Sequence, residues 1–292
     1  AVQPAAAHGL ATKCGRTPTL AIAGYSLGGG VGWLARRHGL AANAVEAVEL
    51  VLADGRRVRA DAGHEPDLFW AMRGGGGSFG VVTALEFRLF PVLTAWRDWV
   101  QEVPDEMTSL GRILRLPPLP EVPEPLRGRA FVVVEAAFLG DEAGAAALMA
   151  PLRGLGPEMD TFGPRSPAGL AELHMDPPEP VPYRGDGGLL AALPDEALEA
   201  VLAVQGPGVD SPLLSLEIRH LGGALAAAPE GAGALGHLHG GFLWFTVGIA
   251  PVPPALEAVT HATEVTREAL MPWDSGRSYL NFSETPASPA RV

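Results

Sequence analysis

The chain has 292 residues, 47% hydrophobic and 18% charged, with a net charge of −12. That balance suits one large or two ordinary packed domains and excludes a disordered chain. It also makes nucleic acid and anionic membranes poor partners, and no apolar run approaches the roughly 20 residues that span a bilayer.

TLAIAGYSL (19–27) reads as a buried strand that feeds a glycine loop, GYSLGGGVGW (24–33), and WLARRHGL follows as a short helical turn. AVEAVELVLADGRRVRAD reads as two strands joined at Asp54-Gly55, a dipeptide that tolerates a tight hairpin turn. PDLFWAMRG predicts a short helix with Pro66 near its start, stopped by the glycines at 74 to 77. FGVVTALEFRLF alternates as a half-buried strand. Beyond residue 92 the composition shifts. A proline-rich connection, LPPLPEVPEP, precedes the strand AFVVVEAAFL and the helix DEAGAAALMAPLRGLG, and DPPEPVPY reads as a second proline-rich loop. The helix PDEALEAVLAV, the strands LLSLEIRHL and FLWFTVGIA and the helix PALEAVTHATEVTREAL follow. Strands interleaved with helices across long loops predict an α+β fold, an antiparallel sheet backed by helices.

The chain carries one cysteine, Cys14, which excludes an internal disulfide and a cysteine-based metal cluster and fits a cytoplasmic setting. His237 and His239 in GHLHGG share one face of a possible strand, but no third ligand motif accompanies them, so no metal is expected. GxxxxGK, HExxH and GxSxG motifs are absent.

Glycine is costly to order, so five of them in the ten positions 24–33 need a cause. A buried strand enters the loop and a second cluster, RGGGGSFG, lies some forty residues on; bare backbone of this kind cradles anions such as a pyrophosphate. Gly30, Gly32 and Ala35 satisfy the GxGxxA of a dinucleotide fold, yet the helical piece after them ends at Gly39 and the next strands form a hairpin. Trp33, Arg36 and Arg37 also suit that motif's close packing poorly.

PTLAIAGYSLGGGVGWLARRHGLAANAVEAVELVLADGRRVRAD and DLFWAMRGGGGSFGVVTALEFRLFP resemble the second half of the FAD-binding domain of berberine bridge enzyme-like oxidoreductases. These belong to the vanillyl-alcohol oxidase and p-cresol methylhydroxylase flavoprotein group. YLNFSE (279–284) resembles that family's Tyr-x-Asn-Tyr/Phe segment. The resemblance implies a partial p-cresol methylhydroxylase-type FAD-binding domain at 1–92, an inserted substrate domain at 93–270 and a return segment at 271–292. It implies an N-terminally incomplete chain, without the family's phosphate-loop subdomain. It also implies FAD held by Thr17, Thr19, Gly24, Gly28, Gly32, Val82 and Asn281, and oxidation of a small hydroxylated or amine-bearing metabolite by hydride transfer. The alternative is a flavin-free remnant serving as a binding or structural module. Oligomeric state is not legible.

Tyr279 is the expected catalytic base or hydrogen-bonding partner, with Arg277 two residues away. Glu217 in SLEIRHLGG is the second candidate. In a strand, Ser215, Glu217 and Arg219 share one face, which suits either a hydroxylated substrate or a solvated Glu–Arg pair. Phe242, Trp244 and Thr246 alternate with Leu243, Phe245 and Val247; the mixed first set suits a pocket wall and the wholly apolar second set the core, with the reverse as the alternative.

Overall fold

Asp54 and Gly55 do turn the chain. Gly55 takes φ +86°, and the Asp54 carboxylate accepts from the Arg56 amide at 3.0 Å. The hairpin joins β2 (Val45–Val51) to β3 (Arg57–Asp61) in antiparallel register. This computed structural model describes residues 10–11, 21–31, 39–87, 90–120, 122–174, 180–206, 209–233, 235–286 and 288–291. The chain divides into two units, Ala1–Ala95 with Ala146–Asp160, and Trp96–Ala145 with Thr161–Val292.

In the first unit, β1 (Leu10–Ala11) pairs with β5 (Phe90–Pro91), and a three-stranded sheet runs in the order β3-β2-β4, with β4 at Val81–Phe87. Helix α1 (Ile22–Leu27) replaces the strand expected at TLAIAGYSL, as far as that run is described. A short apolar run reads alike in both periods. The helix wins because Tyr25 N–H donates to Ala21 and Gly28 N–H to Gly24, which drops Leu27 into the core. Helix α2 (Pro66–Gly75) carries Pro66 in its first turn and Gly74 at φ +126° where it ends. Its Phe69 and Met72 join Leu27, Val48, Leu50 and Ala60 in one apolar core.

The alternation expected along β4 is broken. Glu49 pairs with Ala84 but Leu50 pairs with Val82, so Thr83 is an extra residue. That bulge puts Val82 and Leu85 on the same core-facing side, three positions apart.

Two helices, α3 (Val92–Val100) and α4 (Glu142–Arg153), run across the division of the chain. The second unit is built on a five-stranded antiparallel sheet in the order β7-β6-β9-β10-β8. Its strands are β6 (Met107–Arg115), β7 (Ala130–Phe138), β8 (Tyr183–Leu190), β9 (Ser215–His220) and β10 (Phe242–Ile249). Helices α5 (Asp195–Gln205) and α6 (Pro253–Leu270) complete it.

Cross-strand register assigns each side chain to a face. Ile113, Leu216, Thr246 and Asp186 stand in one row, and Ile218, Trp244 and Gly188 in the next. This face packs on α6: Thr246 Oγ1 lies 3.0 Å from Thr263 Oγ1, and Arg267 stacks over the Trp244 ring at 5.4 Å. Phe242, Trp244 and Thr246 are therefore the core set and Leu243, Phe245 and Val247 belong to the opposite face, the reverse of the assignment that polarity favoured, because the Thr246 hydroxyl is satisfied by Thr263 within the core.

The segment after α6 wraps the β8 edge. Phe282 meets Phe245 on one face at 5.3 Å between ring centres, while Thr285 Oγ1 donates to Asp186 on the other. Asp186 is 1% exposed. It also accepts from Arg267 Nη2 at 2.6 Å and from the Gly187 and Glu284 amides. Residues 235–239, expected as a possible strand, form none; the His237 and His239 rings lie 4.4 Å apart in irregular chain.

Candidate functional site

The sheet face opposite α6 is polar at its centre. Arg112 on β6 stands opposite Glu217 on β9, while Glu135 on β7 and Arg219 on β9 flank Leu110 in the adjacent row. Alternation delivers all four to one side because each is an even number of residues from its neighbour on the same strand. Arg112, Glu135 and Glu217 are 4%, 8% and 4% exposed, so this is no solvated surface pair. Buried charges of this kind persist only when paired.

Each of them is paired. Arg112 Nη2 lies 2.8 Å from Glu135 Oε1. Arg219 Nη2 donates to both Glu217 oxygens at 3.1 Å. His174, which follows the short 3₁₀ turn Pro167–Glu172, lies across both pairs. Its Nδ1 is 2.8 Å from Glu135 Oε2, and its Nε2 is 3.3 Å from Arg112 Nη1 and 3.7 Å from Glu217 Oε2. Arg112 Nη2 also donates to the His174 carbonyl at 3.2 Å. The Glu135 carboxylate at Nδ1 holds His174 above the usual imidazole range, against the opposing pull of burial.

Both expected catalytic residues lie on this face. The Arg219 guanidinium sits 4.7 Å over the Phe282 ring, and Phe282 leans on Tyr279 at 5.8 Å. Asn281 Nδ2 donates to the Tyr279 hydroxyl at 3.0 Å, so these two expected site residues hold each other. Tyr279 and Phe282 pack against Leu189, Leu221 and Leu243. Arg277 is exposed. Arg112, Glu135 and His174 were not singled out in the sequence; the alternation of Arg112 and Glu135 within apolar strands was the available signal.

In the first unit the two glycine clusters come together, since α1 contacts α2 and the turn at 76–79. Gly30, at φ +71°, is required by the protein itself: an added Cβ would lie 2.7 Å from Ala41 Cβ. Gly24 is different. It is exposed inside α1, and an added Cβ would meet no described atom within 4 Å. A helical glycine costs about 1 kcal/mol against alanine, and no described packing contact demands it. The Gly28 amide is committed to Gly24 O, which removes it as an anion donor. Val82 lies on β4, an edge strand of the described three-stranded sheet, and its side chain packs on the core. Thr17, Thr19 and Gly32 lie outside the described residues.

Curated relatives include an FAD-linked oxidoreductase of Aspergillus terreus, 46% identical over 86 residues, or 30% of this chain and 18% of the relative. The (R)-6-hydroxynicotine oxidase of Paenarthrobacter nicotinovorans is 37% identical over 116 residues, covering 37% of this chain and 25% of the relative. An uncharacterised FAD-linked oxidoreductase of Bacillus subtilis, YvdP, is 32% identical over 207 residues, covering 63% and 43%. The chain thus spans less than half the length of these relatives. The solved structure of 6-hydroxy-D-nicotine oxidase from Arthrobacter nicotinovorans aligns with TM-score 0.49 and 25% identity, covering 98% of this chain and 67% of that one. No family model matches. Among the described residues no helix is long and apolar enough to cross a membrane.

Proposed function

We infer that this chain, whose homologues are FAD-linked oxidoreductases, serves an enzyme activity of that kind, oxidising a small hydroxylated or amine-bearing metabolite. The observation that carries the reading is the juxtaposition of two glycine clusters, with Gly24 bare where no described neighbour requires it, in a chain whose relatives are FAD-linked oxidoreductases. Gly24, Val82 and Asn281, together with Thr17, Thr19 and Gly32, are the residues proposed to hold FAD; Gly28, its amide committed to Gly24 O, is left with close packing as its only part.

Bound FAD would supply the two-electron acceptor; the chain's own groups orient the substrate and manage its proton. Glu217 is the proposed proton acceptor, its carboxylate fixed by Arg219 so that it presents one orientation. The Tyr279 hydroxyl accepts from Asn281, which leaves its own hydrogen to point at a substrate oxygen or nitrogen. Phe245 and Phe282 supply an apolar wall that excludes water beside these groups.

The test is an absorbance spectrum of the full-length gene product purified with FAD, before and after acid precipitation. Flavin bands that follow the protein are expected. A colourless protein that takes up no FAD in equilibrium dialysis would overturn the reading.

A further inference from the structure

Among the described residues, His174 Nε2 has two partners that want opposite things from it. Arg112 Nη1, at 3.3 Å, can only donate, so it needs the lone pair of a neutral ring. Glu217 Oε2, at 3.7 Å, can only accept while ionised, so it needs an Nε2–H. Nδ1 does not share the conflict: facing Glu135 Oε2 at 2.8 Å, it carries a hydrogen in both forms. The ring is partly accessible, its side chain 29% exposed, so a proton can reach it from solvent.

We propose that His174 is a proton-operated positioning residue that sets how Glu217 is shared, and through Glu217 the freedom of Arg219 above Phe282. With the ring neutral, Nε2 accepts from Arg112, and Glu217 belongs to Arg219 alone through both oxygens. When Nε2 takes a proton from water, its lone pair is consumed and the Arg112 Nη1–H faces a like charge. Among the described residues, Glu217 Oε2 is then the nearest acceptor on that side. Arg219 then loses its exclusive hold, and the change passes to the ring it covers.

Charge bookkeeping agrees with this direction. Among the described residues, Glu135 on β7, Glu217 on β9 and Arg112 on β6 face His174, and Arg219 is bound to Glu217, so these four carry two charges of each sign with the ring neutral and one net positive charge with it protonated. Two carboxylates within reach make that extra charge tolerable, consistent with the upward displacement of the His174 pKa.

The inference deepens the role proposed for Glu217, yet its test needs no flavin. In isotope-labelled full-length chain, the His174 imidazole nitrogens, the Arg219 side-chain Nε–H and the Tyr279 and Phe282 ring signals are followed by NMR across the pH range of imidazole titration. All four are expected to move with one midpoint, and in His174→Gln the Arg219, Tyr279 and Phe282 signals are expected to lose that pH dependence. Glu135→Gln keeps the ring and removes the carboxylate at Nδ1; the shared midpoint is then expected to fall, which covers the case in which His174→Gln fails to fold. An Arg219 signal that stays flat while His174 titrates overturns the proposal, as does a pH dependence that survives in His174→Gln. Loss of FAD binding with the coupled titration intact would count against the oxidoreductase reading alone.

Discussion

The Trp96 indole donates to Ser109 Oγ at 2.9 Å, and Ser109 passes its own hydrogen to the Glu135 carbonyl at 2.7 Å. Trp96 is 0% exposed and its ring meets Phe242 edge-on at 6.2 Å, so one side chain both fills the space under the sheet and reaches across β6 to β7. Trp96→Phe keeps an aromatic ring but removes the donor and leaves a gap. A loss of about 1–3 kcal/mol in chemical denaturation is expected. A loss under about 0.5 kcal/mol would show that the hydrogen-bonded relay is unimportant.

Gly24 and Gly30 should respond to alanine in opposite ways. Gly30→Ala forces a left-handed φ on a residue with a Cβ that meets Ala41 Cβ and Tyr25 O, and is expected to destabilise by about 1–3 kcal/mol. Gly24→Ala meets no described atom and improves the helix, so a gain of up to about 1 kcal/mol is expected. If backbone there lies against FAD, the same variant loses FAD affinity while its thermal midpoint rises. Unchanged affinity would remove Gly24 from the proposed cofactor site.

Asp186 ties together β8, α6 and the 284–285 segment, accepting from Gly187, Arg267, Glu284 and Thr285. Asp186→Ala strands these donors at a position 1% exposed and is expected to cost about 3–5 kcal/mol. Hydrogen exchange should report the release, with the amides of 282–285 losing protection before those of β10. Equal protection in both would place the 284–285 segment outside the grip of Asp186.

Two histidines should limit stability from opposite sides. His174 is raised by its bond to Glu135, so its contribution is complete below its ordinary value of 6.5 and is lost as pH climbs through the raised value. His220 is lowered by burial. As pH falls below 6.5 the unfolded chain takes a proton the native one refuses, and stability drops until the folded value is passed. Urea midpoints from about pH 5 to about pH 9 should therefore flatten on the alkaline limb in His174→Gln and on the acid limb in His220→Gln. Curves that keep both slopes in both variants would contradict the assignment.

The Asp54-Gly55 hairpin, the Pro66 helix and the long amphipathic helix α6 were legible because each carries its own turn chemistry or period. Strand β8 was not. YRGDGGLL has three glycines and two charges where strands favour branched residues. The reason lies on its neighbour: a Cβ at Gly185 would strike Phe245 at 2.6 Å, and one at Gly188 would strike the Trp244 indole at 2.8 Å. The glycines make room for aromatics over fifty residues away, which no local window can reveal. The site was half legible for the same reason. Glu217 and Tyr279 stood out by motif and alternation, whereas Arg112, Glu135 and His174 acquire meaning only once β6, β7 and β9 are neighbours. The run at 19–27 failed differently, since nothing in its apolar residues distinguishes a short helix from a strand.

The order β7-β6-β9-β10-β8 also fixes a timetable for synthesis. Strands β6 and β7 can join as soon as both emerge, but the inner margin of β6 must wait for β9, about a hundred residues later in the chain. Strand β8 has no neighbour at all until β10 follows it. A nascent chain halted before residue 242 would thus hold β7, β6 and β9 already joined beside a lone glycine-rich ribbon, and a ribosome pausing there would leave the free margins of β9 and β8 exposed until β10 emerges.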